Sequence, residues 1–219
     1  MTIAALEQFG IEVCWQEDVI KIKGRQRYRS PGRAAVAGDW SNAAFMLCAG
    51  ALGGEVTLTG LTDRLQGDCK ITEILARLGA RVEQNAHSVT VSRRPLFGIE
   101  IDAADIPDLV PVVAVTAAGA AGTTVIHHIE RLRLKESDRA AATTELIRTL
   151  GGQIQTAQNR MIITGTGRLR GGMVDSHADH RMVMSAAVAS LLCDEPVTIA
   201  GAQAVEKSYP HFFEDFSKL

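Results

Sequence analysis

Ile74-Leu75-Ala76-Arg77-Leu78-Gly79 recurs in outline twice more in this chain, as Ala5-Leu6-Glu7-Gln8-Phe9-Gly10 and Leu146-Ile147-Arg148-Thr149-Leu150-Gly151. Each copy has the apolar spacing of the end of an amphipathic helix, and each closes on a glycine, the residue for which a left-handed cap costs least. Two short β-rich runs follow every copy: residues 11–13 with 19–22, 81–83 with 88–91, and 153–155 with 161–164. One structural unit therefore repeats along the chain.

A second triplet has the same period. Asp39, Asp108 and Asp179 each open a stretch that is apolar nearly all round, and each stretch leads into a β-rich run (56–58, 125–127 and 197–199). The aspartates stand 69 and 71 residues apart and the closing glycines 69 and 72, so the period is close to 70 residues. The unit reads helix, strand, helix, strand, strand, with a further short strand such as 99–101 leading into the next aspartate. Helices apolar on every face have to be buried, which predicts an α+β fold of two layers with the aspartates at the N-termini of interior helices. The amphipathic helix near Thr2–Phe9 has no aspartate-led helix before it, so the repeat is entered midway, as expected of an excised piece. Lys21, Lys23, Arg25, Arg27 and Arg29, followed by Ser30-Pro31-Gly32-Arg33, read as a strand running into a crossover. Its alternating charges suit a solvated strand face better than a polyanion site.

Composition sets outer limits. With 46% apolar and 22% charged residues over 219 positions, the chain can bury a sizeable core. The longest apolar runs, such as residues 109–121, fall short of the roughly 20 residues that span a bilayer, so a soluble, cytoplasmic protein is expected. A formal charge of −2 argues against general affinity for nucleic acid or anionic membrane. The four cysteines form no CxxC pair and sit mostly in apolar contexts, pointing to buried free thiols and not to zinc or disulfides.

The densest polar cluster is Arg131-Leu132-Arg133-Leu134-Lys135-Glu136-Ser137-Asp138-Arg139, ahead of an Ala-rich helix. Ser137 is the expected N-cap with Asp138 in the first turn. Lys135 and Arg139, four apart, would then form an anion-binding surface at the helix start; a well-capped exposed helix with surface ion pairs explains the same spacing. A second cluster, Asp175-Ser176-His177-Ala178-Asp179-His180-Arg181-Met182, opens the next buried helix. An arginine in the first turn of such a helix is costly unless a carboxylate or ligand meets it, which favours a site. His177 and His180 could hold a metal, but no further ligand pattern appears elsewhere. Lys207, ahead of Tyr209-Pro210, would end near the same helix starts if the repeat is compact, although a lone lysine is ordinarily solvated. Gly165-Thr166-Gly167 is a turn, and there is no dinucleotide fingerprint, Walker loop or nucleophile elbow.

Leu134-Lys135-Glu136-Ser137-Asp138-Arg139 and Asp179-His180-Arg181-Met182 resemble the two signature stretches of the 5-enolpyruvylshikimate-3-phosphate synthases (3-phosphoshikimate 1-carboxyvinyltransferases), in the family's order. Ser30-Pro31-Gly32, Gly38-Asp39, Gln66-Gly67-Asp68, Ile106-Pro107-Asp108 and Lys207 support the match. The resemblance covers essentially the whole chain and corresponds to the second half of a family member. It implies repeated βαβαββ units around a pseudo-threefold axis, with residues 1–38 as the end of the N-terminal lobe plus a hinge strand and 39–219 as three units of the C-terminal lobe. It implies transfer of the enolpyruvyl group of phosphoenolpyruvate to the 5-hydroxyl of shikimate 3-phosphate, without cofactor or metal, in an enzyme targeted by glyphosate. Carried over residue by residue, Arg139 and Arg181 would hold the phosphoenolpyruvate carboxylate and Lys207 its phosphate. Asp108 would accept from the target hydroxyl, Lys135 would contact shikimate 3-phosphate, Glu136 would move protons, and His180 would lie close by. Arg131 stands where some members carry an uncharged amide near the shikimate phosphate. Further phosphate contacts come from the family's N-terminal lobe and have no counterpart here, so the chain is expected to be inactive alone. Two rivals are the sister transferase acting on UDP-N-acetylglucosamine, which lacks both signature stretches, and an RNA-end-processing or other nucleic-acid module using residues 21–33.

Overall fold

The three glycines that close the repeated motif all take left-handed backbone, with φ of 77° at Gly10, 113° at Gly79 and 83° at Gly151. In the computed structural model, which describes residues 1–219, each ends a helix at the expected place. The chain divides into two compact units, Met1–Ala37 and Gly38–Leu219.

The smaller unit holds helix α1 (Thr2–Gln8) and an antiparallel hairpin of β1 (Val13–Gln16) and β2 (Val19–Ile22), with Val13 opposite Ile22. Ile11 is its one buried residue. The strand expected over 21–33 is not formed: β2 stops at Ile22, and residues 23–39 contain no further strand. The local sequence explains the stop. Arg25 and Gly32 adopt positive φ (64° and 78°), and Pro31 has no N–H to give a ladder.

The larger unit begins with α2 (Trp40–Gly53), β3 (Glu55–Thr59), a 3-10 turn over Gly67–Lys70 running into α3 (Ile71–Leu78), then β4 (Arg81–Gln84) and β5 (Ser88–Ser92). There follow β6 (Glu100–Asp102), a 3-10 turn Pro107–Leu109 into α4 (Val110–Ala118), β7 (Ala121–His127), a 3-10 turn Glu130–Leu134, α5 (Arg139–Thr149), β8 (Gln153–Ala157) and β9 (Arg160–Thr166). The chain closes with β10 (Gly172–Asp175), α6 (His180–Ser190), β11 (Val197–Ala200), a 3-10 turn Ala202–Lys207 and α7 (Phe212–Phe216).

The β6–β9 stretch is one complete βαβαββ unit, a four-stranded sheet in the order β6-β7-β9-β8 with β6 parallel to β7 and the other pairs antiparallel. The preceding unit forms the antiparallel sheet β3-β5-β4. The third shows the parallel pair β10-β11, after which the 3-10 turn and α7 replace the second half of the repeat. The short strands ahead of Asp108 and Asp179, β6 and β10, thus pair in parallel with the strand after the next helix, β7 and β11, the βαβ crossover that the 70-residue period implies; the unit opened by Asp39 has no such strand.

Helices α2, α4 and α6 pack against one another pairwise, as a threefold arrangement of units requires. All nine residues of α4, Val-Pro-Val-Val-Ala-Val-Thr-Ala-Ala, are buried; its one polar side chain, Thr116, donates to the Val112 carbonyl at 2.8 Å, so no buried donor is left unpaired. Amphipathic α3 and α5 turn their apolar sides to β4 and β8. Of the thiols, Cys48 and Cys69 are buried as expected, but Cys14 on the hairpin is exposed and Cys193 is half-buried. No helix is long and apolar enough to cross a membrane.

The sheet lies close to the C-terminal end of α4 because Gly165 in β9 has no side chain: a Cβ there would stand 2.0 Å from the Ala120 carbonyl oxygen and 2.7 Å from that of Ala117. Gly165→Ala is expected to cost about 2–3 kcal/mol, the upper range for forced overpacking, measured by urea unfolding. A loss under about 0.5 kcal/mol, the size of a surface change, would contradict this packing.

Candidate functional site

The starts of the three interior helices carry the polar chemistry. Asp39 and Asp179 cap α2 and α6, each accepting through Oδ1 the backbone N–H two residues on, Ser41 and Arg181, both at 2.9 Å. Asp108 departs from the expected pattern: it lies inside the 3-10 turn ahead of α4 and caps nothing. With Pro107 in the first position of that turn, the Asp108 carboxylate is left to face side chains.

Three cations meet it. Lys135 Nζ lies 3.0 Å from Asp108 Oδ1, Arg139 Nη1 donates to the same oxygen at 2.7 Å, and Arg181 Nη2 reaches Oδ2 at 3.4 Å. The Arg139 side chain is only 1% exposed and every arm of its guanidinium is engaged. Nε donates to Asp179 Oδ2 at 2.7 Å, Nη2 to Asp179 Oδ1 at 3.2 Å and to Glu136 Oε2 at 2.6 Å. Glu136 turns its other oxygen to Lys207 Nζ at 3.0 Å. One continuous ion network thus joins the loop before α5, the first residue of α5, the first turn of α6, the turn ahead of α4, and the 3-10 turn that ends at Lys207.

Sequence reasoning erred on the cap of α5. Asp138, not Ser137, caps the helix, accepting from the Ala141 N–H at 3.0 Å. Ser137 Oγ instead donates to Asp179 Oδ2 at 2.9 Å. Lys135 precedes the helix, so it and Arg139 meet at Asp108 across a bent loop and not as helical neighbours. Arg131 is not brought into the network: its Nη1 donates to the Ala104 carbonyl at 3.0 Å. His177 Nε2 pairs with Glu145 at 3.2 Å, whereas His180 Nδ1 stands 3.7 Å from Asp179 Oδ1, so the two rings serve different neighbours. No three His, Cys, Asp or Glu side chains are grouped to hold a metal ion.

Asp179 was legible in sequence only as a helix opener. The signal for its larger role was the arginine at α6, which needs a carboxylate partner; that the same carboxylate also anchors Arg139, 40 residues earlier, has no local sequence mark.

The titration behaviour follows from this crowding. Burial pushes Glu136 up, but hydrogen bonds from Lys207 and from its own backbone, with the Arg139 charge, outweigh it and hold the carboxyl at about 2. Burial likewise raises Asp108, and the charges of Arg181, Lys135 and Arg139 bring it below the usual carboxylate range. Asp179 is lowered in the same way: burial is overcome chiefly by Arg139. His180 is lowered by burial and by the neighbouring Arg181 charge, which favours the neutral ring. Its Nδ1 and the Nη1 of Arg181 are buried without a hydrogen-bond partner. Buried polar atoms left open beside a cationic cluster mark where a ligand's hydrogen-bonding groups would be worth most.

The sequence matches the EPSP synthase family, described as 3-phosphoshikimate 1-carboxyvinyltransferase, over residues 1–216. It is 41% identical over 223 aligned residues to a 3-phosphoshikimate 1-carboxyvinyltransferase of Clostridium novyi (strain NT) and 42% identical to that of Clostridium kluyveri, in both cases across 100% of this chain. The chain spans about half of those relatives, 51% and 52% of their lengths. Among solved structures, an EPSP synthase from Acinetobacter baumannii superposes with a TM-score of 0.85 at 28% identity, covering 97% of this chain and 52% of that one.

The depressed carboxylates make stability depend on acid. Glu136 has a folded value of about 2 against an ordinary 4.5, so its contribution is complete above about 4.5 and is lost as pH falls through about 2. Glu136→Gln is expected to remove part of the slope of stability against pH in that window, as read by urea unfolding at stepped pH. An acid limb identical to wild type would contradict the pairing of Glu136 with Lys207 and Arg139.

Proposed function

We propose a role that proceeds from the family, for this chain belongs to the EPSP synthase (3-phosphoshikimate 1-carboxyvinyltransferase) family: it supplies the cationic half of an active site that moves the enolpyruvyl group of phosphoenolpyruvate onto the 5-hydroxyl of shikimate 3-phosphate, releasing phosphate. The observation that carries this reading is the convergence of Lys135, Arg139 and Arg181 on the single carboxylate of Asp108, with Lys207 tied to Arg139 through Glu136. Four cationic side chains from separated segments thus meet where interior helices begin. A small acid with several negative charges fits such a cluster, and planar guanidinium groups suit its carboxylate.

Without ligand, the protein's own carboxylates occupy the cations. Binding is therefore an exchange. The Asp179 side chain is 0% exposed and stays as the fixed anchor of Arg139; Asp108 and Glu136, at 27% and 33% exposed, are the ones that yield. As Arg139 and Arg181 turn to the phosphoenolpyruvate carboxylate and Lys207 to its phosphate, Asp108 and Glu136 lose the charges that depress them. Both carboxyls then become better proton acceptors only when substrate is present. In the reaction, Asp108 accepts from the 5-hydroxyl as its oxygen bonds to C2 of phosphoenolpyruvate, Lys135 contacts shikimate 3-phosphate, and the methylene carbon takes a proton. Departure of phosphate with loss of a proton from that carbon restores the double bond. Glu136, with His180 beside the network, handles the carbon-bound proton. Arg131 is assigned to the rim of the shikimate 3-phosphate site.

Because relatives are about twice as long, the reading assigns residues 1–38 to the end of an N-terminal lobe and its hinge, and 39–219 to the C-terminal lobe. The remaining phosphate contacts come from the other lobe. The chain by itself is expected to bind phosphoenolpyruvate weakly and to release no phosphate from it when shikimate 3-phosphate is added. Mixing with the N-terminal half of a relative is expected to restore turnover, and Arg181→Ala or Lys207→Ala in this chain to lower the restored kcat/KM by about 10²–10³-fold, the scale of lost charge stabilisation. Turnover by the chain alone would overturn the two-lobe assignment. Restored activity that is indifferent to both substitutions would overturn the site.

A further inference from the structure

Lys207 is the most exposed cation of the cluster. Its side chain is 57% open to solvent and its Nζ has one partner, Glu136, which in the proposed exchange departs. A lysine stem is flexible, so where the ammonium can then reach depends on where the backbone beneath it is fixed. Lys207 is the last residue of the 3-10 turn Ala202–Lys207, which follows left-handed Gly201 (φ 74°) and buries Val205. The N–H groups of Ser208 and Tyr209 both return to the Val205 carbonyl, at 3.2 and 2.9 Å.

Two side chains from outside fasten this turn, one at each end. At its entry Ser176 Oγ, from the loop ahead of α6, donates to the Gly201 carbonyl at 3.1 Å. At its exit Asn42, in the first turn of α2, donates through Nδ2 to the Ser208 carbonyl at 3.0 Å, and Ser208 Oγ donates back to Asn42 Oδ1 at 3.5 Å. The partners are 166 residues apart, so the pair belongs to neither element's own backbone ladder. Asn42 and Ser208 both line a cavity of about 270 Å³, together with Met46, Leu58 and Tyr209. Close packing therefore does not set the distance between α2 and the turn at this point; the hydrogen-bonded pair does.

We propose that Asn42 is a positioning residue for Lys207: by holding the Ser208 carbonyl from α2, it fixes the backbone from which the Lys207 ammonium reaches the ligand's phosphate once Glu136 is displaced. Asn42 touches no reacting group itself. It brings α2, the interior helix that the ion network leaves out, into the support of the site. Such support matters because a charged group misplaced by about 1 Å forfeits much of its effect on a bound ligand. The ligand is that of the phosphoenolpyruvate-binding reading above, on which the proposal rests, and one arm of its test is free of that reading.

Without ligand, the Glu136 carboxyl of the full chain, faced by Lys207, Arg139 and its own backbone N–H, is held at about 2, so its 13C signal is expected to stay nearly flat between about pH 5 and about pH 3. Asn42→Ala is expected to let Lys207 drift, to raise the carboxyl toward its ordinary 4.5, and so to make the signal titrate inside that window. Asn42→Gln keeps an amide donor and has the cavity to take its extra methylene, and is expected to return most of the wild-type behaviour. With ligand, Asn42→Ala is expected to weaken phosphoenolpyruvate binding about tenfold in the wild-type background and less than about twofold in a Lys207→Ala background, as for residues that act as a pair. A Glu136 signal that stays flat in Asn42→Ala, or moves equally in Asn42→Gln, would overturn the assignment, as would an equal loss of binding in both backgrounds. Absence of any phosphoenolpyruvate binding by the wild-type chain would count against the ligand reading, while the Glu136 signal would still decide the role of Asn42.

Discussion

A buried guanidinium organises the larger unit. Arg139 is 1% exposed, and a charge taken so far from water is tolerated only if each of its donors finds an acceptor. Asp179, Asp108 and Glu136 supply them, and in doing so they fix the register between α5, α6 and the turn ahead of α4. Loss of one member would leave another charge buried and alone, which in comparable sites costs about 3–5 kcal/mol. The site and the fold are thus held by the same bonds.

On the proposed function, the network would also be a compromise between two states. Every carboxylate that steadies a cation here would compete with an anionic ligand for it, so part of that ligand's interaction energy would go into displacing Asp108 and Glu136. The return is specificity. A ligand with too few negative groups cannot replace both carboxylates, and a cation left unpaired in this enclosure is penalised. The graded exposure of the three carboxylates, from Asp179 inside to Glu136 at the rim, matches the order in which they could be released.

Much of this was legible in the sequence, for definite reasons. Period and hydrophobic pattern are local, so the glycine stops at Gly10, Gly79 and Gly151 and the all-apolar α4 could be read directly. The likeness of the stretches around Lys135–Arg139 and Asp179–Arg181 to a known family marked where charge would collect. What could not be read was which side chain faces which. Ser137 and Asp138 are equally good caps on paper, and only the carboxylate across the gap at Asp179 decides that the serine turns away from the helix. Asp108 looked like its two counterparts because the period is blind to a 3-10 turn. The basic run from Lys21 to Arg33 alternates like a strand, yet Pro31 and two positive-φ positions forbid one. Asp68 was marked only as part of Gln66-Gly67-Asp68 in the family likeness, and its contact with Ser41 on α2, 27 residues away, leaves no local sign.

The middle βαβαββ unit is the one complete unit of the larger unit, and its four-stranded sheet, β6-β7-β9-β8, is built from consecutive sequence. Its β8–β9 hairpin closes between Ala157 and Arg160, whereas the ion network waits for segments far apart in the chain. Order during collapse should therefore arise first in the centre of the polypeptide and spread outward, because nearby partners meet at lower entropic cost. Pulse-labelled amide exchange would show it as early protection of Val125, Ile126 and Ile163, well before the amide of Arg181.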